Sequence, residues 1–363
     1  MIEPVTEIRI SQPHIQRQAP SPDEGIKVKA PPPEPSPIRQ YLLSRGNSVF
    51  ADRLFHVLMV LCALTIFAIV GLIAWELVTS SKLTWDKFGF GFFYKTFINP
   101  VTNSPLYWDP VNEQFSAAPF VYGTLVSSFL ALLLAVPLGV GLAIFLTEMC
   151  PRALRGPLAF LTELLAAIPS IIYGLWAVFV LVPLLREYVN PMLTHTLGWT
   201  GFFSDDNPTG LGFFAGGVIL SVMILPIISS LTREVMSAVP HSQREAVLAL
   251  GATRWEMLRI GVLRNARMGI IGSVILGLGR ALGETIAVTM VIGNHPVILK
   301  NLFAPGYTLA SVIANEFTEA TGDLYLSALI EIGLALFLVT IVVNAIARLM
   351  VWAVVRDNAG SAH

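Results

Sequence analysis

Six stretches of this chain, at about 54–79, 121–147, 158–184, 210–231, 268–293 and 325–354, are apolar over lengths that fill a bilayer. A helix needs ~20 largely apolar residues to cross ~30 Å of hydrocarbon, and only helices or closed barrels satisfy their own backbone there. Composition agrees, with 54% hydrophobic residues and 13% charged, against roughly a quarter charged in ordinary globular domains. The expected fold is an all-α membrane protein with six transmembrane helices.

The distribution of basic residues orients those helices. With the N-terminus inside, the cytoplasmic flanks hold thirteen arginines, from Arg39 to Arg356, whereas the opposite flanks hold five basic residues: Lys82, Lys87, Lys95, Arg186 and Lys300. This bias predicts both termini in the cytoplasm. Residues 1–50 carry Pro at 4, 13, 20, 22, 31, 32, 33, 35 and 37 among few large apolar side chains. They read as a disordered cytoplasmic tail, and the first span as its own signal anchor. The six-span body is expected over 51–357, followed by a short tail at 358–363. An outer loop at 80–120 gathers Phe90, Phe92, Phe93, Tyr94, Trp108 and Phe115, read as packing or an interfacial belt ahead of a docking surface. In the last outer loop, Leu309, Val312, Ile313 and Phe317 share one helical face.

Several function classes are disfavoured. The net charge of −1 gives no basis for a nucleic-acid partner, and the six His residues show no ligand spacing. Cys62 and Cys150 both lie in or at the end of apolar runs, which argues against a disulfide framework or a thiolate metal site. No nucleophile–base pattern emerges, so no catalytic or metal residue is assigned. The chain has no Gly-rich loop ending in Gly-Lys-Ser/Thr, so ATP hydrolysis by that mechanism falls to a partner.

Two segments carry the functional reading. The first is a charged, Gly-interrupted amphipathic stretch, Arg244 to Arg259, inside the loop 232–267. Gly251 permits a turn between two short helices, a surface able to seat in a partner's groove. Glu245-Ala246-Val247, three residues, then Gly251 is similar to the EAA loop of ABC-importer permeases. Val247, Gly261 and Arg264 depart from that pattern, while Leu263 fits it. The resemblance implies that Arg244, Glu245, Ala246, Gly251, Ala252, Thr253 and Trp255 contact an ATP-binding subunit.

The second segment is Gly279-Arg280-Ala281-Leu282-Gly283-Glu284-Thr285. Arg280 and Glu284, four apart, share a helix face, and each is costly alone inside a bilayer, ~2.5–3.5 kcal/mol for Arg. They either form a structural pair or handle an anion, for which the guanidinium fork suits a tetrahedral oxyanion. Phosphate near neutral pH keeps a P–OH donor that Glu284 can accept, and sulfate has none. Gly279 and Gly283 have the spacing that lets helices approach closely.

With Leu161–Tyr173, Arg244–Glu256 and Phe303–Ala320, this segment makes the chain resemble the phosphate-importer permease family, PstC type, over about 120–350. That resemblance implies the type I (MetI-like) permease fold. It also implies a heterodimer with a PstA-like permease, a PstB-like ATPase dimer that binds ATP and Mg, and a PstS-like phosphate-binding protein. No cofactor is then expected in this chain itself. Arg280, Glu284, Thr285, Glu163 and Ser170 are the candidate pathway residues. Alternatives are a permease for another oxyanion, such as sulfate or molybdate, or a proton-coupled secondary carrier with Glu284 as relay. Of the remaining acids, Glu163 faces either the pathway or a neighbouring helix. Glu148 is expected in an exposed pair with Arg152, and Glu331 is expected to serve as a structural partner to a polar group.

Overall fold

The computed structural model describes residues 49–98, 103–204 and 207–359. The Pro-rich tail before residue 49 and the last four residues lie outside that description. The chain divides into two units, residues 1–67 and 68–363. The described part of the first unit is the beginning of helix α1 (Val49–Ser80), whose apolar side chains Leu61, Leu64 and Phe67 are exposed, as suits a lipid-facing surface.

After α1 come α2 (Lys82–Phe88), α3 (Ala118–Ile144), α4 (Arg152–Ala166), α5 (Ser170–Trp176), α6 (Val182–Leu184) and α7 (Asn190–Leu197). The chain continues with α8 (Phe213–Ser237), α9 (His241–Ala249), α10 (Arg254–Glu256), α11 (Arg264–Leu282), α12 (Ile286–Val291), α13 (Leu309–Glu316) and α14 (Asp323–Ala359). Among the described residues, six helical segments are long and apolar enough to cross a membrane: Phe50–Ser80, Ala118–Met149, Ser170–Thr200, Phe213–Ser237, Arg254–Leu282 and Asp323–Trp352. Two of the boundaries expected from hydropathy are corrected. The stretch 158–184 is two helices, α4 and α5, separated at Ala167–Pro169, so the third span begins at Ser170. Pro169 has no N–H, and the backbone preceding it is driven out of the helical region. The continuous helix of the fifth span ends at Leu282, and the rest of the expected stretch to 293 holds a break and the short helix α12.

The centre of the bundle is α3 against α8, with α11 laid across them. Small residues make this approach possible. Ala131, Ala135 and Ala143 are fully buried, and a Cβ on Gly139 or Gly277 would sit 3.0 Å from the Ile228 side chain. A Cβ on Gly123 would collide with the Tyr307 carbonyl, which seats the last outer loop against the start of α3.

The outer loop 80–120 is a packed cap. Its two antiparallel pairs, β1 (Phe97–Ile98) with β2 (Pro105–Leu106) and β3 (Trp108–Asp109) with β4 (Gln114–Phe115), set Trp108 opposite Phe115. Phe92, Trp108 and Phe115 are buried with Phe120, Tyr307, Leu309 and Val312. Trp108 Nε1 donates to Glu316 Oε2 at 2.6 Å, and the Tyr325 hydroxyl donates to the same oxygen at 2.7 Å. Packing therefore accounts for the buried aromatics, while Phe90 and Tyr94 remain exposed. Helix α13 tucks in through Leu309 and Val312, but Phe317 does not join that buried face.

Glu331 corrects another expectation. It is fully buried in α14, and neither carboxyl oxygen has a hydrogen-bond partner among the described residues. An unpaired buried polar group costs about 1–3 kcal/mol. Replacing it by Met, of similar length, is therefore expected to raise the thermal unfolding temperature of the full chain in detergent. A lowered temperature would mean that the carboxyl has a partner.

Candidate functional site

The fifth span is interrupted where its charged pair sits. Helix α11 ends at Leu282, Gly283 follows, and the chain re-enters a helix at Ile286. Glu284 lies in the break. One of its oxygens accepts the backbone N–H of Ala287 at 3.4 Å, satisfying a donor that the first turn of α12 leaves free. The other lies 3.9 Å from Arg280 Nη2. The carboxylate is thus held from two sides, with its side chain 7% exposed, while the Arg280 side chain is 43% exposed.

A second interrupted helix packs here. Helix α5, which starts after the break at Pro169, lies on α12, and Gly174 makes room for it. A Cβ at Gly174 would stand 2.7 Å from Met290 Sδ and 3.1 Å from Ala287 Cα. Discontinuous membrane helices of this kind recur where transporters expose polar backbone and charged groups to a pathway.

Arg280 and Glu284 line a cavity of about 1160 Å³ between α11 and α14, shared with Thr340, Asn344 and Arg348 and walled by side chains such as Leu276 and Ile341. The glycines serve this cavity differently from expectation. Gly279 has nothing within 4 Å of a Cβ position, and Gly283 meets only the Gly279 carbonyl at 3.8 Å. Their spacing therefore opens the wall of the cavity instead of bringing two helices of this chain together, and Gly277 makes the close contact.

Of the candidate pathway residues, only Arg280 and Glu284 meet in the cavity. Glu163, in α4, accepts from Arg233 Nη2 of α8. Ser170 starts α5, and the Thr285 hydroxyl donates to the Gly283 carbonyl at 3.2 Å. None of these three lines the cavity. Thr340, Asn344 and Arg348 were missed, although a polar residue every fourth position in an apolar run was visible. From sequence, Arg348 reads only as a charge flanking the last span.

In the loop 232–267 the chain turns at Gly251, whose φ is +82°, a left-handed backbone that glycine adopts without Cβ strain. Helix α10 then opens with a reciprocal cap. Thr253 Oγ1 accepts from the Glu256 N–H at 3.3 Å, and Glu256 Oε2 accepts from the Thr253 N–H at 2.8 Å. Met257, Leu258 and Val262 anchor the loop in a core with Met236 and Val239. Glu245, Ala246, Gly251 and Thr253 are exposed, and Ala252 is half-buried. Leu250 is 89% and Trp255 64% exposed, two large apolar side chains left bare.

Arg244 is held differently from its exposed neighbours. Its side chain is 12% exposed and lies 3.2 Å from Glu148. It donates to the carbonyls of Met236 at 2.8 Å and Val239 at 3.0 Å. It clips α9 to the ends of the second and fourth spans. Glu148 therefore pairs with Arg244, not with Arg152, and the pair is largely buried.

Residues 135–356 match the model of the family described as "Binding-protein-dependent transport system inner membrane component". The chain belongs to that family. Its six-helix core is accordingly the type I importer permease fold, in a multi-pass inner-membrane protein. Curated relatives include the phosphate transport system permease protein PstC of Mesorhizobium japonicum, 46% identical over 82% of this chain and 89% of that protein. The protein of the same name from Haemophilus influenzae is 44% identical, over 84% of this chain and 94% of its own length. The one from Pasteurella multocida is 42% identical, over 87% and 96% respectively.

Proposed function

We propose that this chain is the PstC-type permease subunit of an ATP-driven importer of inorganic phosphate, in which Arg280 contacts the passing anion. The observation that carries this reading is a half-exposed guanidinium on a cavity of about 1160 Å³ in a membrane-spanning body, with one carboxylate held beside it. The fork supplies charge-assisted donors to tetrahedral oxygens. Arg348 adds a second positive charge on the same cavity. The open side of the cavity is the place for a sister, PstA-like permease to complete the pathway.

The remaining parts of the machine follow from the same reading. A PstS-like binding protein delivers phosphate to the outer cap. A PstB-like ATPase dimer holds ATP and Mg and receives the exposed surface of α9 and α10, so both chain termini lie in the cytoplasm. Nucleotide-driven closure moves that surface as a rigid body, because Arg244 and Glu148 tie it to two spans. This chain needs no cofactor of its own. The family resemblance leaves little support for a proton-coupled carrier.

Glu284 supplies selectivity. Its carboxylate accepts the proton of a phosphate P–OH and repels an oxyanion that has none. Glu284→Gln, tested in vesicles containing the whole complex, is expected to let sulfate compete for phosphate uptake at least tenfold better. Unchanged competition would remove Glu284 from the selectivity step.

A further inference from the structure

A second cluster of positive charge lies away from the Arg280 cavity, where the second and fourth spans end. A cavity of about 330 Å³ there is lined by Arg152, Arg155, His241 and Arg244, with Glu148 and Thr147 beside them. The only carboxylate in that lining, Glu148, is occupied by Arg244 at 3.2 Å. Among the described residues, neither Arg152 nor Arg155 forms an ion pair. Arg155 is nevertheless positioned, because its Nη2 donates to the Thr147 carbonyl at 2.7 Å. Three arginines against one glutamate leave two positive charges in excess.

The backbone adds to this field. Arg152 is the first residue of α4 and His241 the first of α9, and neither helix has a side-chain cap at its N-terminus. Both starts follow a proline, Pro151 and Pro240, which has no hydroxyl or carboxylate to cap with. Two uncapped helix starts therefore border one basic cavity, each presenting the positive end of its dipole. Thr147 and Ser237, at the ends of their spans, place the cavity at the hydrocarbon boundary, the level at which basic pockets between membrane helices hold acidic headgroups.

We propose that this cavity is a second anion site, which takes a single phosphate group in contact with Arg152 and Arg155. The group comes from an acidic phospholipid headgroup or from free inorganic phosphate, and both present the same tetrahedral oxygens to the same arginines. The site goes beyond the transport reading and is independent of which anion crosses at Arg280.

The test uses the full-length chain with the subunits that co-purify with it, in detergent, comparing the unmodified protein with R152Q/R155Q. Phosphatidylglycerol is titrated by native mass spectrometry. Radiolabelled inorganic phosphate is titrated by equilibrium binding, with Arg280→Gln present in both proteins to silence the pathway cavity. At least a tenfold loss of phosphatidylglycerol retention in R152Q/R155Q supports the site and assigns it to a headgroup. An equal loss of inorganic phosphate binding supports it and assigns it to the free ion. Retention of both ligands at parental strength overturns the proposal. If the double variant fails to fold, Arg152→Gln alone is titrated in the same way, since its exposed side chain forms no ion pair among the described residues. Phosphate uptake by reconstituted R152Q/R155Q, with Arg280 intact, is measured in parallel, so failure of this site and failure of the transport reading are seen separately.

Discussion

Arg280→Gln is expected to lower phosphate uptake by at least tenfold, and toward a hundredfold, in vesicles containing the assembled transporter. Gln keeps a polar side chain of similar reach but has no charge and no guanidinium fork. A hydrogen bond to a charged group contributes about 1.5–3 kcal/mol, or about 10- to 100-fold in binding. The substitution also strands Glu284. That carboxylate is nearly buried, and with Arg280 gone its described partner is the Ala287 N–H alone. Anion repulsion then adds to the lost attraction. Arg280→Lys separates the two effects, since the ammonium restores charge without bidentate geometry, and it is expected to recover uptake only in part. Uptake of labelled phosphate, with ATP hydrolysis measured in the same vesicles, checks both variants. Parental uptake by Arg280→Gln would take the guanidinium out of the pathway.

The second large effect is expected on the opposite kind of contact. Leu250→Glu combined with Trp255→Glu should abolish co-purification of the ATPase while leaving the thermal stability of the permease unchanged. Both side chains are exposed and flank the turn at Gly251, whereas the loop is anchored by Met257, Leu258 and Val262 beneath it. The two substitutions therefore alter the presented surface and spare the support. Apolar anchors buried in a partner's groove contribute ~2 kcal/mol or more each when they are hot spots, so losing two weakens association by ~10³-fold. Pull-down and titration of the ATPase against both permease forms read this directly. Undiminished association would move the coupling surface elsewhere, and a lowered unfolding temperature would show that these side chains support the loop.

The reach of local information explains which parts of the site could be anticipated. Arg280 and Glu284 are four residues apart, so helical geometry alone brings them together, and they remain within 3.9 Å even though the helix ends between them. The Glu245-Ala246 and Gly251 pattern is equally local, and the positive φ at Gly251 occurs where a glycine interrupts the apolar spacing. Contacts between distant segments left no such mark. Nothing near Glu148 distinguishes Arg152, its neighbour in sequence, from Arg244, its partner across two spans. Glu163 pairs with Arg233 for the same reason. Glycine spacing was ambiguous as well, since a missing side chain lets a helix approach at Gly277 and leaves an open wall at Gly279.

Hydropathy and length determined that this chain crosses the membrane six times, because solvation of a helix in hydrocarbon depends on its composition alone. Residue identity likewise determined that a guanidinium and a carboxylate had to find protection inside that bundle. Tertiary structure decided the rest: that the protection is a cavity shared with α14, that Arg244 is a clip, and that Glu331 is sealed without a partner among the described residues. Those outcomes depend on which helix faces which, and that is settled by side-chain packing between segments far apart in the chain.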